Sequence, residues 1–269
     1  MEGFDQESTA VGRSIVPAER RRLIAERLRS AGSVTVAALE AEFGVSPMTA
    51  RRDLQALERD GLARRTHGGA VLPSLARHED SFQHRLEQAT PEKERLAAAA
   101  AELVGEDETV LVDSSTTAYF AVRRILERGV KVTLVTNAVP VIELVARGES
   151  AQVDLVGVGG SLRKLTRSFV GPHAARGIRA HFADKLLLSV KGIAPGGLLT
   201  DPDPLEAEVK RAMIERAHEP ILLVDSSKFE QSSLSVIAEA SELSLVLAAD
   251  PPSRGVAELI EAGVRVTRV

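Results

Sequence analysis

Residues 46–71 read SPMTARRDLQALERDGLARRTHGGAV, and this stretch decides what the first part of the chain is. Ser46 is an N-cap residue and Pro47 suits the first helical position. At 100° per residue Ala50, Leu54 and Leu57 form one apolar stripe. The opposite face carries Met48, Arg52, Gln55 and Arg59, flanked by Thr49 and Arg51. A helix that buries one side and offers Arg, Gln and Thr on the other suits a DNA major groove. Gly61 is expected to stop it. Leu62–Arg65 and Ala70–Leu72 then flank Gly68-Gly69, a hairpin signal. A basic hairpin directly after such a helix makes a winged helix.

The residues upstream complete the unit. A helix is expected over 17–31, with Ile24 and Leu28 inward, Arg20, Arg21, Arg22, Arg27 and Arg29 outside, and Gly32 as its end. Thr35 caps a second short helix bearing Val36, Leu39 and Phe43. Gly44-Val45 makes the tight turn into the third, which is helix-turn-helix spacing. One Arg-rich helix alone is ordinarily a solvated face. Turn, cap, stripe and wing together point to DNA.

Charge is distributed to match. The 269 residues carry a net −4. Between 17 and 72, ten basic residues stand against seven acidic ones, a local +3. Residues 1–16 carry −2, so 73–269 carry −5. The positive field therefore belongs to the first domain. The absence of cysteine excludes disulfides and thiolate chemistry. Aromatics are 3%, which argues against stacking on single strands. The six histidines lack ligand spacing, so no metal and no cofactor is expected. No signal peptide or long apolar run is seen, which points to the cytoplasm and to no membrane partner.

The remainder reads as a second, larger domain. Residues 1–16 are expected to be a disordered tail, 17–72 the winged helix-turn-helix and 73–90 a polar linker; 91–269 form an α/β domain. A helix runs from Pro91 to Val104. Short β-branched runs follow at 109–112, 132–136, 153–158, 185–190, 221–224, 243–248 and 264–269. Helical patterns at 119–128, 139–146, 172–181, 205–217 and 256–262 lie between several of them. Strands alternating with helices predict an open, mostly parallel sheet covered on both faces.

Such sheets bind ligands at the carboxyl ends of their strands. The first run ends in Asp113, then Ser114-Ser115-Thr116-Thr117 and a helix. Hydroxyls and free N–H groups at a helix N-terminus suit an anion. The second ends in Thr136-Asn137. The third ends in a glycine turn, Gly159-Gly160, where backbone can approach a ligand. The fifth ends in Asp225-Ser226-Ser227-Lys228, whose lysine can serve as a point charge for phosphate. Taken singly these are a cap cluster, an ordinary turn and a solvated lysine. Together they predict a pocket for a phosphorylated ligand.

The N-terminal part resembles the DNA-binding domain of the DeoR family of bacterial repressors, the GlpR-like regulators. The resemblance lies in Val45-Ser46, Thr49, Arg51-Arg52-Asp53-Leu54 and the wing ending His67-Gly68-Gly69-Ala70. Ala50 departs from the family's usual Ile. Residues from about 90 onward resemble that family's effector domain, itself similar to ribose-5-phosphate isomerase. Asp113 with Thr116-Thr117, Thr136-Asn137, Gly159-Gly160, Ser168, Val170-Gly171, Glu206 to Lys210 and Asp225 to Phe229 carry this second match. Ser115 replaces a usual Gly, and Lys191 stands where a small residue is common.

The resemblance implies a sugar-phosphate-responsive transcriptional regulator, expected to be a repressor of sugar catabolism genes. Its partners are a double-stranded DNA operator, a phosphorylated sugar effector and further copies of itself, as a dimer or tetramer. DNA contacts are expected from Ser46, Met48, Thr49, Arg51, Arg52, Gln55, Arg64, Arg65, His67, Gly68 and Gly69, with phosphates held by the wing and first helix. The effector site is expected at Asp113, Ser114, Ser115, Thr116, Thr117, Thr136, Asn137, Gly159, Gly160, Lys191 and Lys228. No enzyme activity is expected, because Ser189-Val190-Lys191-Gly192 stands where the isomerases carry carboxylates, and proton transfer needs a positioned base. The alternatives are an isomerase-like enzyme using Asp201, Asp203 or Glu206, and a ligand-independent DNA-binding protein.

Overall fold

A computed structural model describes residues 16–31, 33–60, 62–66, 68–71, 80–148 and 152–269. The expected tail apart from Val16, the helix stops Gly32 and Gly61, the wing residue His67 and residues 72–79 fall outside them. The chain divides into two compact units, with the boundary between Ala76 and Arg77.

In the first unit α1 is Pro17–Ala31, β1 Ser33–Thr35, α2 Val36–Phe43, α3 Pro47–Arg59, β2 Arg64–Thr66 and β3 Gly69–Val71. The expected caps are present. Thr35 Oγ1 accepts from Ala38 N at 3.1 Å, and Ser46 Oγ from Thr49 N at 3.2 Å. Gly44 closes α2 at φ 62°, a conformation that costs glycine nothing. Ile24, Leu28, Leu39, Ala50, Leu54 and Leu57 form the core. The sheet is antiparallel in the order β1-β3-β2, so the wing has a third strand that the sequence pattern did not reveal. That strand explains Gly69, where an added Cβ would stand 1.9 Å from Val34 O. Arg20 also departs from expectation. It lies on the buried face of α1, one turn before Ile24, and its Nε donates to Asp53 Oδ2 of α3 at 2.6 Å.

The second unit opens with two helices, α4 Phe82–Glu87 and α5 Thr90–Glu102. α4 lies within the stretch expected to be linker. Phe82 is buried, and its backbone N–H donates to Leu165 O at 2.8 Å. There follow β4 Glu108–Val112, α6 Thr116–Arg128, β5 Val132–Thr136, α7 Val139–Arg147, β6 Val153–Gly157, β7 Ser161–Arg163, β8 Ser168–Val170, α8 Pro172–Arg179 and β9 Ala183–Leu188. The chain ends through β10 Gly192–Ala194, β11 Leu198–Asp201, α9 Pro204–Ile214, β12 Ala217–Asp225, β13 Ser235–Glu239, β14 Leu245–Ala249, α10 Ser253–Glu261 and β15 Val266–Arg268.

Seven strands form one parallel sheet in the order β15-β14-β12-β9-β4-β5-β6. Alternate residues face two cores. Val110, Val112, Ile221 and Leu223 meet α5 and α6, while Leu111, Leu222 and Val224 meet α8 and α9. Burial on both faces is why these strands read as unbroken apolar runs. The order also sets a topological switch. The chain runs outward from β4 through β5 to β6, then returns to β9 on the other side of β4. A crevice forms where the direction reverses, at the carboxyl ends of β4 and β9. Among the described residues no helix is long and apolar enough to cross a membrane.

Candidate functional site

Each unit carries one candidate site. In the first, α3 presents Met48, Arg51, Arg52, Gln55 and Arg59 exposed, on the side away from Ala50, Leu54 and Leu57. Arg51, Arg52 and Gln55 make no side-chain hydrogen bond or ion pair among the described residues, so this face is free for a partner. Ser46 and Thr49 are engaged with each other at 3.0 Å and fix the helix start. In the wing Arg65 is exposed, and its backbone N–H donates to Glu58 Oε1 at 2.9 Å, tying the hairpin to α3. Arg64 opens β2, Gly68 is exposed and Gly69 is buried. The first helix offers less than its composition suggests. Arg20 is buried, Arg22 is bridged to Glu19 and Glu26, and Arg27 is bridged to Glu42.

In the second unit a cavity lies at the switch point. Ser115, Thr116 and Thr117 line it from the turn after β4. Ser189, Val190 and Lys191 come from the turn after β9, and Asp225, Ser227 and Lys228 from the end of β12. The α4–α5 corner closes it with Arg85, Gln88, Ala89 and Lys93, and Asp201, Pro202 and Lys210 complete the wall. Of the residues expected at the effector site, Ser115, Thr116, Thr117, Lys191 and Lys228 thus stand together. Asp113 lies directly behind, 1% exposed, accepting from Ser115 N at 2.9 Å, Ser189 N at 3.1 Å and Lys210 Nζ at 2.9 Å.

The other expected residues have different surroundings. Ser114 Oγ donates to Glu206 Oε2 at 3.1 Å. Thr136 Oγ1 donates to Val112 O and Asn137 Nδ2 to Phe169 O, each at 2.8 Å, so both side chains tie loops together. Gly160 lies under a close contact, since a Cβ there would stand 2.8 Å from Val170 O; Gly159 is exposed. Thr136, Asn137, Gly159 and Gly160 do not line the cavity; they stand at and beyond the ends of β5 and β6, on the far side of β4 from the switch.

The cavity has two chemical ends. At one, the charges of Lys228 and Arg85 act on Lys93, and those of Lys191 and Arg85 on Lys228. Burial, with the Lys228 charge beside it, pushes the Lys93 ammonium down to about 8. Burial also lowers Lys228; Asp225 opposes this, while Lys191 and Arg85 add to it. At the other end Lys210 is fully enclosed. Burial works against its charge, but the Asp113, Asp201 and Glu206 carboxylates together hold it above the ordinary lysine value. Glu206 is itself saturated, accepting from Ser168 Oγ at 2.6 Å and Thr166 Oγ1 at 2.7 Å. Asp203 caps α9 and meets Arg163 at 3.0 Å.

Sequence reasoning missed Arg85, Lys93 and Ser189 here, and it carried Lys210 only as part of a family motif. Lys210 and Asp113 are 97 positions apart, and nothing local marks such a pair.

Comparison with known proteins adds a third line. Residues 88–248 match the family model described as DeoR C terminal sensor domain, and residues 20–75 that of the DeoR-like helix-turn-helix domain. The chain is 36% identical over 248 residues to the transcriptional repressor AccR of Agrobacterium fabrum, covering 92% of this chain and 95% of that one. It is 31% identical over 242 residues to the glycerol-3-phosphate regulon repressor of Escherichia coli, covering 90% and 94%. Ribose 5-phosphate isomerase A from Methanocaldococcus jannaschii gives a TM-score of 0.38 at 16% identity over 52% of this chain and 54% of that one, a likeness that carries no argument.

Proposed function

The chain belongs to the DeoR family, with its helix-turn-helix and its sensor domain, and from that premise we propose that it is a transcriptional repressor of carbohydrate genes, released from DNA by a phosphorylated sugar. One observation carries the second half of this reading. Four cationic side chains, Arg85, Lys93, Lys191 and Lys228, converge at the switch-point cavity beside the first turn of α6. The first N–H groups of a helix have no intrahelical acceptor and point toward an anion. A phosphate group fits that end. Ser189, Asp201 and Lys210 at the other end offer donors and acceptors to sugar hydroxyls.

The α3 face supports the first half. Arg52 and Gln55 would read base edges, and the wing arginines would hold phosphate. Arg52→Ala is expected to cost about 1–3 kcal/mol on the cognate operator and relax sequence preference. Arg65→Ala should weaken all sequences alike and flatten the salt dependence. Gel-shift titrations on cognate and scrambled sites at two salt concentrations check both; equal losses on the two sites for Arg52→Ala would sink the base-reading role. Regulation then requires that effector favour an arrangement of the units that fits the operator poorly. This reading also calls for a homo-oligomer in the cytoplasm, held by its second unit, since paired operator half-sites need paired α3 helices.

The site's charge gives a test by pH. A phosphomonoester completes its second ionisation near pH 6, so between pH 7 and 9 the ligand's charge is constant. Lys93 loses its proton near 8 in the free chain, whereas an anion favours the charged form. Affinity should therefore hold up below pH 8 and fall above it, by at most about tenfold per pH unit for one proton. Calorimetric titration of the effector at pH 7 and pH 9 measures this, and a flat profile would place the phosphate away from Lys93. The reading as a whole is tested by screening phosphorylated sugars for thermal stabilisation and adding the best one to an operator complex. Release of DNA is the expected result; stabilisation without release would leave a ligand site with no regulatory role.

A further inference from the structure

Arg85 differs from the other cations of the cavity. Its Nε and Nη2 are buried, and neither has a hydrogen-bond acceptor among the described residues. These two nitrogens form the side edge of the guanidinium, the fork that grips a carboxylate or phosphate with two parallel bonds. Buried donors without acceptors are costly, and the charges of Lys93 and Lys228 bear on the same place.

The element that carries Arg85 is weakly held. α4 has six residues, far below the length at which a helix persists alone. Phe82 anchors its start, edge-on to Tyr119 of α6 with ring centroids 5.8 Å apart. The Lys93 ammonium anchors its end by donating to Arg85 O and Gln88 O. Between α4 and α5, Ala89 adopts a left-handed φ of 48°, a conformation uncommon for a residue with a Cβ. α4 is also the first helix past the unit boundary. Only residues 72–81 lie between β3 and α4, a span of at most about 35 Å.

We propose that Arg85 is the residue through which the effector's phosphate orders α4. The phosphate meets the Nε–Nη2 fork, offsets the repulsion of Arg85 and Lys93 with Lys228, and fixes α4, the first helix of the second unit. This rests on the effector reading above and adds the element that the effector orders.

The test is hydrogen exchange on the full chain, read by mass spectrometry, with inorganic phosphate as the probe and sodium chloride of equal ionic strength as the reference. Thermal stabilisation by phosphate is followed in parallel. Phosphate should slow exchange over residues 80–89 by about tenfold or more, the lower end of what one charge-assisted bond contributes. Arg85→Gln should still be stabilised by phosphate, through Lys93 and Lys228, yet show no slowing over 80–89. Arg85→Lys keeps the charge without the fork and should recover part of the effect. Equal slowing in Arg85→Gln and the unchanged chain would overturn the inference, because α4 would then be fixed without Arg85. Stabilisation of the unchanged chain without slowing over 80–89 would overturn it while sparing the effector reading. Failure of phosphate to stabilise the unchanged chain at all would remove both.

Discussion

Asp113→Ala is expected to lower the melting temperature of the second unit by roughly 6–20 °C while leaving the winged helix in place. Asp113 is 1% exposed and accepts three hydrogen bonds, from Ser115 N, Ser189 N and Lys210 Nζ. It thereby joins the turn after β4, the turn after β9 and α9 at one buried point. Without it Lys210 loses its nearest carboxylate and keeps Ser189 O at 2.5 Å, Asp201 at 3.6 Å and the Glu206 charge. A buried ion pair broken on one side costs about 3–5 kcal/mol, since the surviving charge loses its compensation. For a unit of this size each kcal/mol moves the transition by about 2–4 °C. Asp113→Asn, which keeps the shape and one acceptor, should cost less. Differential scanning calorimetry of the full chain measures the shift. A transition unmoved by Asp113→Ala would mean that the strand ends are held by the apolar cores alone.

The parts of this molecule that were legible in the sequence share one property: their signal is local. Ser46, Pro47 and the stripe of Ala50, Leu54 and Leu57 describe α3 within a dozen residues. The seven apolar runs correspond to the seven strands of the large sheet; the inner strands are buried on both faces, and the edge strands β6 and β15 are only partly covered. The short strands β1, β10 and β11 left no such trace. β1 is visible only through β3, and β10 and β11 through a Pro195-Gly196-Gly197 turn that could have marked a hairpin, both glycines having φ near +80°. Arg20, an arginine among arginines, lies inward because it stands four positions before Ile24 and finds Asp53 there as its partner. The cavity was half legible. Its hydroxyls and Lys228 sit at strand ends, where the rule for parallel sheets directs attention. Which strand ends share a crevice depends on strand order, and that is set by pairing between distant segments. Arg85 lay in a polar stretch with the composition of a linker, although Phe82 offered an apolar anchor.

Lys228→Ala is expected to bind operator like the unchanged chain and to ignore effector, the behaviour of a super-repressor. Among the cavity's cations this is the one best suited to removal. Lys93 caps the end of α4 and Lys210 belongs to a buried ion pair, so losing either would disturb the fold. Lys228 Nζ stands 3.8 Å from Asp225 Oδ2, a loose pairing, and the turn it belongs to is held instead by Asp225 Oδ1 accepting from Ser227 N at 2.8 Å. The α3 face lies in a separate unit and should be unaffected. A charge-assisted hydrogen bond contributes about 1.5–3 kcal/mol. At about 1.4 kcal/mol per decade, the loss of effector affinity is on the order of ten- to a hundredfold. The measurement is operator affinity with and without the sugar phosphate that stabilises the unchanged chain. Thr116→Ala provides a second variant, since Thr116 lines the same cavity. If Lys228→Ala released DNA at the unchanged effector concentration, the phosphate would have to sit elsewhere. If instead it lost operator binding altogether, Lys228 would be holding the fold or the oligomer together, and the cationic cluster would be structural rather than a receptor for phosphate.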